Sequence, residues 1–193
     1  MVTGIPSVSS GKTNRLKKRI IASRVSIAKL TKTLHTTATG RKRGYEPIFF
    51  EKLELKESAI LSTIDHISDK FLGLLEAQLN GNRRREKSLA KNIIKYSKRL
   101  RRLVLETTML RPEGSYSEVM VSKLLFEITG KINLKINGLY AFIHAIMTDK
   151  KDEDMIIEID RELVKIFESL IYDEKRVIIG VEAAEVQLLS AAK

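Results

Sequence analysis

Residues 50–74 read FEKLELKESAILSTIDHISDKFLGL, and this stretch decides the fold class. Its apolar side chains recur at intervals of three, four or seven residues, which is the period of an amphipathic helix. The helix is predicted to begin near Pro47, which suits a first-turn position, and to end at Asn80–Gly81–Asn82. Its core-facing residues are predicted to be Phe50, Leu53, Ile60, Ile64, Ile67, Phe71 and Leu74.

The same period continues on both sides of this helix. A preceding helix is predicted over residues 13–36, after an extended tail, with Leu16, Ile20, Ile27, Leu30 and Leu34 on one face. A break is expected at Thr39–Gly44. A third helix is predicted over about 84–110, with Leu89, Ile93, Tyr96, Leu100 and Leu103 inward.

A fourth helix is predicted to follow Ser115 and Glu118, which have the spacing of a capping box, and to reach about Thr148. Its Gly130 and Gly138 are candidates for close packing against a neighbour, or else simply weak points. A last helical pattern runs from Ile156 to Leu188, as one helix or two. The predicted fold class is therefore all-α: a helical bundle of about four long helices preceded by a basic N-terminal helical arm.

Charge divides the chain in two. Of 35 Lys and Arg and 24 Asp and Glu, residues 1–44 hold eleven basic and no acidic side chains, which leaves residues 45–193 balanced at 24 of each. This asymmetry predicts an N-terminal arm (1–44) that meets a polyanion, either nucleic acid or an anionic membrane, ahead of a charge-neutral body (45–193). The sequence features described below favour DNA for the arm and assembly for the body. The basic residues of the arm are Lys12, Arg15, Lys17, Lys18, Arg19, Arg24, Lys29, Lys32, Arg41, Lys42 and Arg43.

A second basic feature lies on the third helix. Side chains spaced three or four residues apart form one stripe, about 27 Å long at 1.5 Å per residue. The stripe consists of Arg84, Lys87, Lys91, Lys95, Lys98 and Arg102, flanked by Arg83, Arg85, Arg99 and Arg101. Two interpretations are open: the stripe contacts a polyanion directly, or it pairs with acidic faces of other helices.

Little in the sequence points to catalysis. The chain has no cysteine, and its three histidines are scattered. Gly11–Lys12–Thr13 resembles the end of a phosphate-binding loop, but the upstream glycine has the wrong spacing and no strand precedes it. Paired carboxylates occur only in patterns typical of exposed helix faces and turns. We therefore expect no enzyme, no cofactor and no metal site.

The basic segments point instead to a polyanionic partner. Few aromatic residues beside many Lys and Arg favour the backbone of double-stranded DNA over single strands, which are bound by stacking. An anionic membrane is possible but less favoured, because the apolar face of the arm has no Trp or Phe. No DNA-reading motif is present, so a packaging protein is favoured over a regulator.

The segments 14–21 (NRLKKRII) and 39–45 (TGRKRGY), followed by a helical body, resemble in overall plan the major coat proteins of filamentous viruses of hyperthermophilic archaea. The resemblance implies that the arm clamps DNA, that the body forms a shell with itself or a paralogous coat subunit, and that the protein resides in the virion. The alternatives are a cellular chromatin-like or RNA-binding protein, associated with the nucleoid or cytoplasm, and a peripheral membrane or adaptor protein. A mitochondrial transit peptide also remains open. We expect the arm to fold only on binding, because alone its helix buries little.

Overall fold

The computed structural model describes residues 10–41, 48–112, 114, 116–147, 158–162, 165, 168–169 and 172. Four long helices follow in order: α1 (Ser10–Arg41), α2 (Ile48–Leu79), α3 (Arg83–Thr108) and α4 (Tyr116–Met147). Residues 158–162 are also helical, and no strand occurs in the described part of the chain. The all-helical class and the four long packed helices are confirmed.

The turn between α2 and α3 explains why these two helices pack antiparallel. Gly81 has a φ of 62°, and its N–H donates to the carbonyl of Gln78 at 3.1 Å. The N–H of Asn82 donates to the carbonyl of Ala77 at 2.8 Å, which completes a Schellman motif. The Asn82 side chain then caps α3 by accepting from the N–H of Arg85. The turn therefore ends one helix and begins the next.

The core is contiguous and draws on every long helix. All seven residues predicted for α2 are buried, and so are the five predicted for α1. Helix α1 packs along α2, α2 along α3, and α3 along α4. The basic N-terminal arm is therefore not confirmed as a separate element, because α1 contributes to the same core as α2. That the arm folds only on binding stays a prediction.

Two predicted boundaries of α1 are wrong. The helix already includes Ser10–Lys12 and continues through Thr39, Gly40 and Arg41, where a break was expected. Gly40 is the last residue but one of the described helix, so the helix extends beyond Thr39 and includes this glycine. The rest of the predicted tail and break, residues 1–9 and 42–44, lies outside the described residues.

The buried line of α3 differs from the predicted one. Ile93 and Leu100 are buried as expected, whereas the predicted Leu89, Tyr96 and Leu103 are only half-buried. The fully buried positions beside them are the small residues Ala90, Ser97, Val104 and Thr107. Small side chains let the helices approach closely, and the Ser97 hydroxyl is satisfied by the Ile93 carbonyl at 2.8 Å.

Residues 158–162 form a closing segment that touches α1, α2 and α4. Glu158 pairs with Arg19 of α1 at 3.5 Å, and Glu162 pairs with Lys135 of α4 at 3.0 Å. Ile159 is buried against α4, where a Cβ added at Gly138 would lie 3.1 Å from its Cδ1. Gly138 is therefore a close-packing glycine, and Gly130, with open space around it, is not. The rest of the predicted last seam lies largely outside the described residues.

Candidate nucleic-acid interface

Helix α3 presents the densest positive surface of the described chain. Its ten basic side chains are all exposed, including all six of the predicted stripe, while the helix holds only two acidic residues. Local packing explains the arrangement. The inner face of α3 is buried in the core through Ile93, Leu100 and Val104, and the charged residues therefore lie on the face that is exposed to solvent. The basic residues are Arg83, Arg84, Arg85, Lys87, Lys91, Lys95, Lys98, Arg99, Arg101 and Arg102.

Few of these charges pair with an acidic residue in the part of the chain that the structure describes. Arg85 lies 3.7 Å from Glu76 of α2, and Arg102 lies 3.8 Å from Glu106 of its own helix. The other eight make no ion pair with any residue that the structure describes. Glu106 is also shared, because the ammonium group of Lys56 donates to it and lowers its pKa. The acidic faces of the other described helices thus leave most of the α3 charge free for an external anion.

The outer face of α3 also carries an open groove. Tyr96 and Leu103 line this groove together with the basic residues. The Tyr96 ring packs edge-on against His66 of α2, with ring centroids 5.2 Å apart, so one wall of the groove is supported. Arg99 lies in this groove as well, although the sequence analysis placed it only at the flank of the stripe. Its position four residues after Lys95, which places both residues on the same side of the helix, was the sequence signal that could have predicted this location.

The basic residues of α1 fall into two groups. Arg15, Lys18, Lys29 and Lys32 are exposed. Lys17, Arg19 and Arg24 instead pair with acidic residues of the bundle, which the sequence analysis did not predict. Lys17 lies 3.5 Å from Glu76, and Arg19 lies 3.5 Å from Glu158. The acids come from distant parts of the chain, so only the tertiary packing brings them to α1.

Arg24 is the most firmly held of the three. Its Nε and Nη2 donate to the two carboxylate oxygens of Asp65 at 2.8 and 3.1 Å, and its Nη1 donates to Asp69 at 3.1 Å. The hydrogen bond to Asp65, assisted by the charges of Asp65 and Asp69, raises the pKa of Arg24 despite partial burial. The pKa of Asp69 is lowered, first by Lys70 and further by Arg24. Arg24 therefore holds α1 on α2 and is not available to a ligand.

The side chains of four further predicted site residues lie outside the described part of the structure. Lys12 and Arg41 lie within α1, but their side chains fall outside the described part of the structure. Lys42 and Arg43 lie outside the described residues altogether. The predicted site is thus reduced to the exposed faces of α1 and α3 where the structure describes it.

The two basic helices meet through a shared acid at one end of the bundle. Glu76 of α2 pairs with Lys17 of α1 through Oε1 and with Arg85 of α3 through Oε2. The contacts of Lys17 and Arg24 with α2 show that α1 runs antiparallel to α2, as α3 does. Helices α1 and α3 therefore point the same way on either side of α2, with their basic N-terminal turns at the same end.

The described residues contain no group of His, Cys, Asp or Glu that could hold a metal ion. No helix in this part of the chain is long and apolar enough to cross a membrane. Within the described residues, Asp160 is a buried acid that accepts hydrogen bonds from Ser68 and Ser23. Desolvation raises the pKa of Asp160 to about 6, and the neighbouring charge of Asp65 acts in the same direction.

In comparisons with known proteins, no family model matches this chain, and no curated protein or solved structure is significantly similar to it.

Proposed function

We propose that this protein is a structural nucleic-acid-packaging protein of the coat or nucleocapsid type. It binds double-stranded DNA without sequence preference and self-assembles through its helical body. The observation that carries this proposal is the outer face of α3, where eight of ten exposed basic side chains have no ion-pair partner among the described residues. Like charges four residues apart destabilise a helix, and phosphates bound along it would offset that repulsion.

The geometry suits contact with a duplex backbone. Residues 84–102 span about 27 Å along the helix axis, equivalent to about eight base pairs of B-DNA. Exposed Arg15, Lys18, Lys29 and Lys32 on α1 add a second positive face. Arg and Lys contacts to phosphate position a protein on DNA without reading its sequence. As a coat protein, it would reside in the virion.

A salt titration of duplex DNA binding tests the proposal. The logarithm of the binding constant should fall steeply with the logarithm of salt concentration, by about 0.9 for each phosphate contacted. The triple variant K91Q/K95Q/K98Q should weaken binding and reduce that slope by about 2.7. Electron micrographs of the same mixtures should show filaments. A steep slope without filaments would favour a chromatin-like binder instead.

A matched control variant distinguishes binding through the α3 surface from an effect of the overall net charge. The variant K52Q/R161Q/K165Q also removes three exposed positive charges, but from α2 and the C-terminal described residues. It should leave the slope nearly unchanged. Equal losses in the two triple variants would show that only overall charge matters, and a flat slope in the unmodified protein would refute nucleic-acid binding.

A second candidate, peripheral membrane binding, is favoured by one observation on α1. Ile21 and Val25 are 52% and 51% exposed, between the exposed Lys18 and Lys29. Apolar side chains flanked by lysines are typical of helices that lie on anionic membranes. Co-sedimentation with vesicles containing phosphatidylglycerol tests it, and I21S/V25S should abolish the binding. For the DNA-binding proposal, the same variant should bind duplex DNA normally.

A further inference from the structure

Helix α4 has an outer face that no described element covers. Residues at intervals of three or four form one exposed line on it: Val119, Lys123, Phe126, Gly130, Leu134, Asn137 and Ala141. Phe126 and Leu134 are 76% and 71% exposed, the highest values among the large apolar side chains of the described chain. Phe126 and Leu134 flank the exposed Gly130 on this line, one helical turn before and one turn after it.

The exposed line is arranged symmetrically about Gly130. Phe126 and Leu134 lie four residues before and after it, and the apolar Val119 and Ala141 lie eleven residues before and after it. A Cβ added at Gly130 would meet nothing within 4 Å, so no contact inside the molecule requires this glycine. A glycine inside an exposed helix lowers its stability, yet it permits the close approach of a second backbone.

We propose that α4 is the contact between two copies of this chain, which cross antiparallel at Gly130. A two-fold axis at Gly130 brings Phe126 of each copy against Leu134 of the second copy, and Val119 against Ala141. The exposed Glu127 and Lys131 lie on the same side of this line, so Glu127 of each copy comes beside Lys131 of the other. Apolar contact along the centre and paired charges at the edge are the anatomy of an isologous interface.

This inference rests on the self-assembly part of the proposed function and assigns that assembly to the α4 surface. Its test uses no nucleic acid, so the failure of DNA binding and the failure of this interface are separate results. The cations proposed to bind DNA lie on α1 and α3, and the contact lies on α4.

The first experiment measures oligomeric state by sedimentation velocity at micromolar protein concentrations. The unmodified protein should sediment as a dimer or a larger assembly built from dimers. Replacing Gly130 by Leu places a bulky side chain at the crossing point, in space that is empty in the monomer. G130L should weaken the association at least tenfold while its helix content, measured by circular dichroism, and its melting temperature do not fall.

Two further variants control this result. F126S should weaken the association to a similar extent, since it removes the central apolar contact. M109S changes another exposed apolar side chain, 67% exposed and beyond the end of α3, and should have no effect. A monomeric unmodified protein, or an association that G130L leaves unchanged, would overturn the proposal.

Disulfide trapping tests the antiparallel direction, because the chain has no native cysteine. On a two-fold axis only the residue at the crossing meets its own copy, so G130C should form a disulfide-linked dimer under mild oxidation. V119C alone should not, whereas a mixture of V119C and A141C chains should cross-link to each other. Efficient self-linkage of V119C would indicate a parallel pair and refute the proposed geometry.

Discussion

At the scale of single residues, Asp160 shows how burial turns an ordinary carboxyl into a source of pH dependence. The side chain is 1% exposed, and its folded-state pKa is raised to about 6. In the unfolded chain an aspartate titrates near 3.9. Between these two values the unfolded state loses its proton first, so the contribution of Asp160 to stability falls as the pH rises from about 4 to about 6.

The variant D160N should therefore be more stable than the unmodified protein at neutral pH. The difference in the free energy of unfolding should grow from near zero at pH 4 to about 3 kcal/mol at pH 7, from the shift in pKa. Urea unfolding across this pH range measures it. An unchanged difference at all pH values would show that ionisation of Asp160 is not the cause.

Arg24 has the opposite role, because its charge holds two helices together. Replacing Arg24 by Met should destabilise the protein by about 1 kcal/mol, a modest value because the group is partly exposed to solvent. The lowered pKa of Asp69 means that its contribution is present above its unfolded pKa and is lost as the pH falls through the folded value.

Thermal unfolding at pH 7 and at low pH checks both parts of this expectation. The effect of R24M should shrink in acid, where the carboxylates are protonated. R15M, on the exposed face of the same helix, is the matched control and should change stability little at either pH.

At the scale of elements, the two glycines of α4 make a matched pair with opposite expectations. G130A should stabilise the monomer by about 0.5–1 kcal/mol, since it removes the entropic cost of glycine in open space. G138V should destabilise the bundle by at least about 1 kcal/mol, since its side chain would collide with Ile159. Equal effects of the two changes on urea unfolding would mean that the closing segment does not pack on α4.

Repulsion between like charges along α3 leads to a second prediction about an element, namely its effect on the free energy of unfolding. Lys91 and Lys95 each have like charges four residues away, so K91Q/K95Q should raise the free energy of unfolding by about 1 kcal/mol at low salt. The gain should disappear in 1 M salt, where screening extends to only about 3 Å. K123Q on α4, whose neighbour four residues on is Glu127, should give no such gain. The prediction fails if the gain is independent of salt.

At the scale of the whole molecule, α1 is as much a part of the core as of the positive surface. Its five buried apolar residues contribute on the order of 10 kcal/mol, which is comparable to the total stability of a typical domain. Deleting residues 1–44 should therefore unfold or aggregate the rest of the chain, as circular dichroism and size-exclusion chromatography would show. A folded truncated protein would restore the interpretation of residues 1–44 as a separate arm.

The helices, most of their inward faces and the location of the positive charge can be predicted from the sequence alone. These properties depend on periodicity and on local signals, such as the glycine and asparagine at residues 80–82, which act over a few residues. All seven residues predicted for the inner face of α2 are therefore buried, although Phe49, Leu61 and Leu75 are buried beside them and were not predicted. The exposure of the α3 stripe was predicted as well. The prediction of α1 as a helix with one apolar face was also correct.

The partners of that apolar face, and the ion pairs of the charged residues around it, depend on the tertiary packing. Arg24 meets Asp65 and Asp69 some forty residues away, and Arg19 meets Glu158 across most of the chain. Pairing over such distances depends on how the helices pack, which no local pattern encodes. The sequence placed the net positive charge in residues 1–44. Among the described residues, by contrast, the largest group of basic side chains without an ion pair lies on α3.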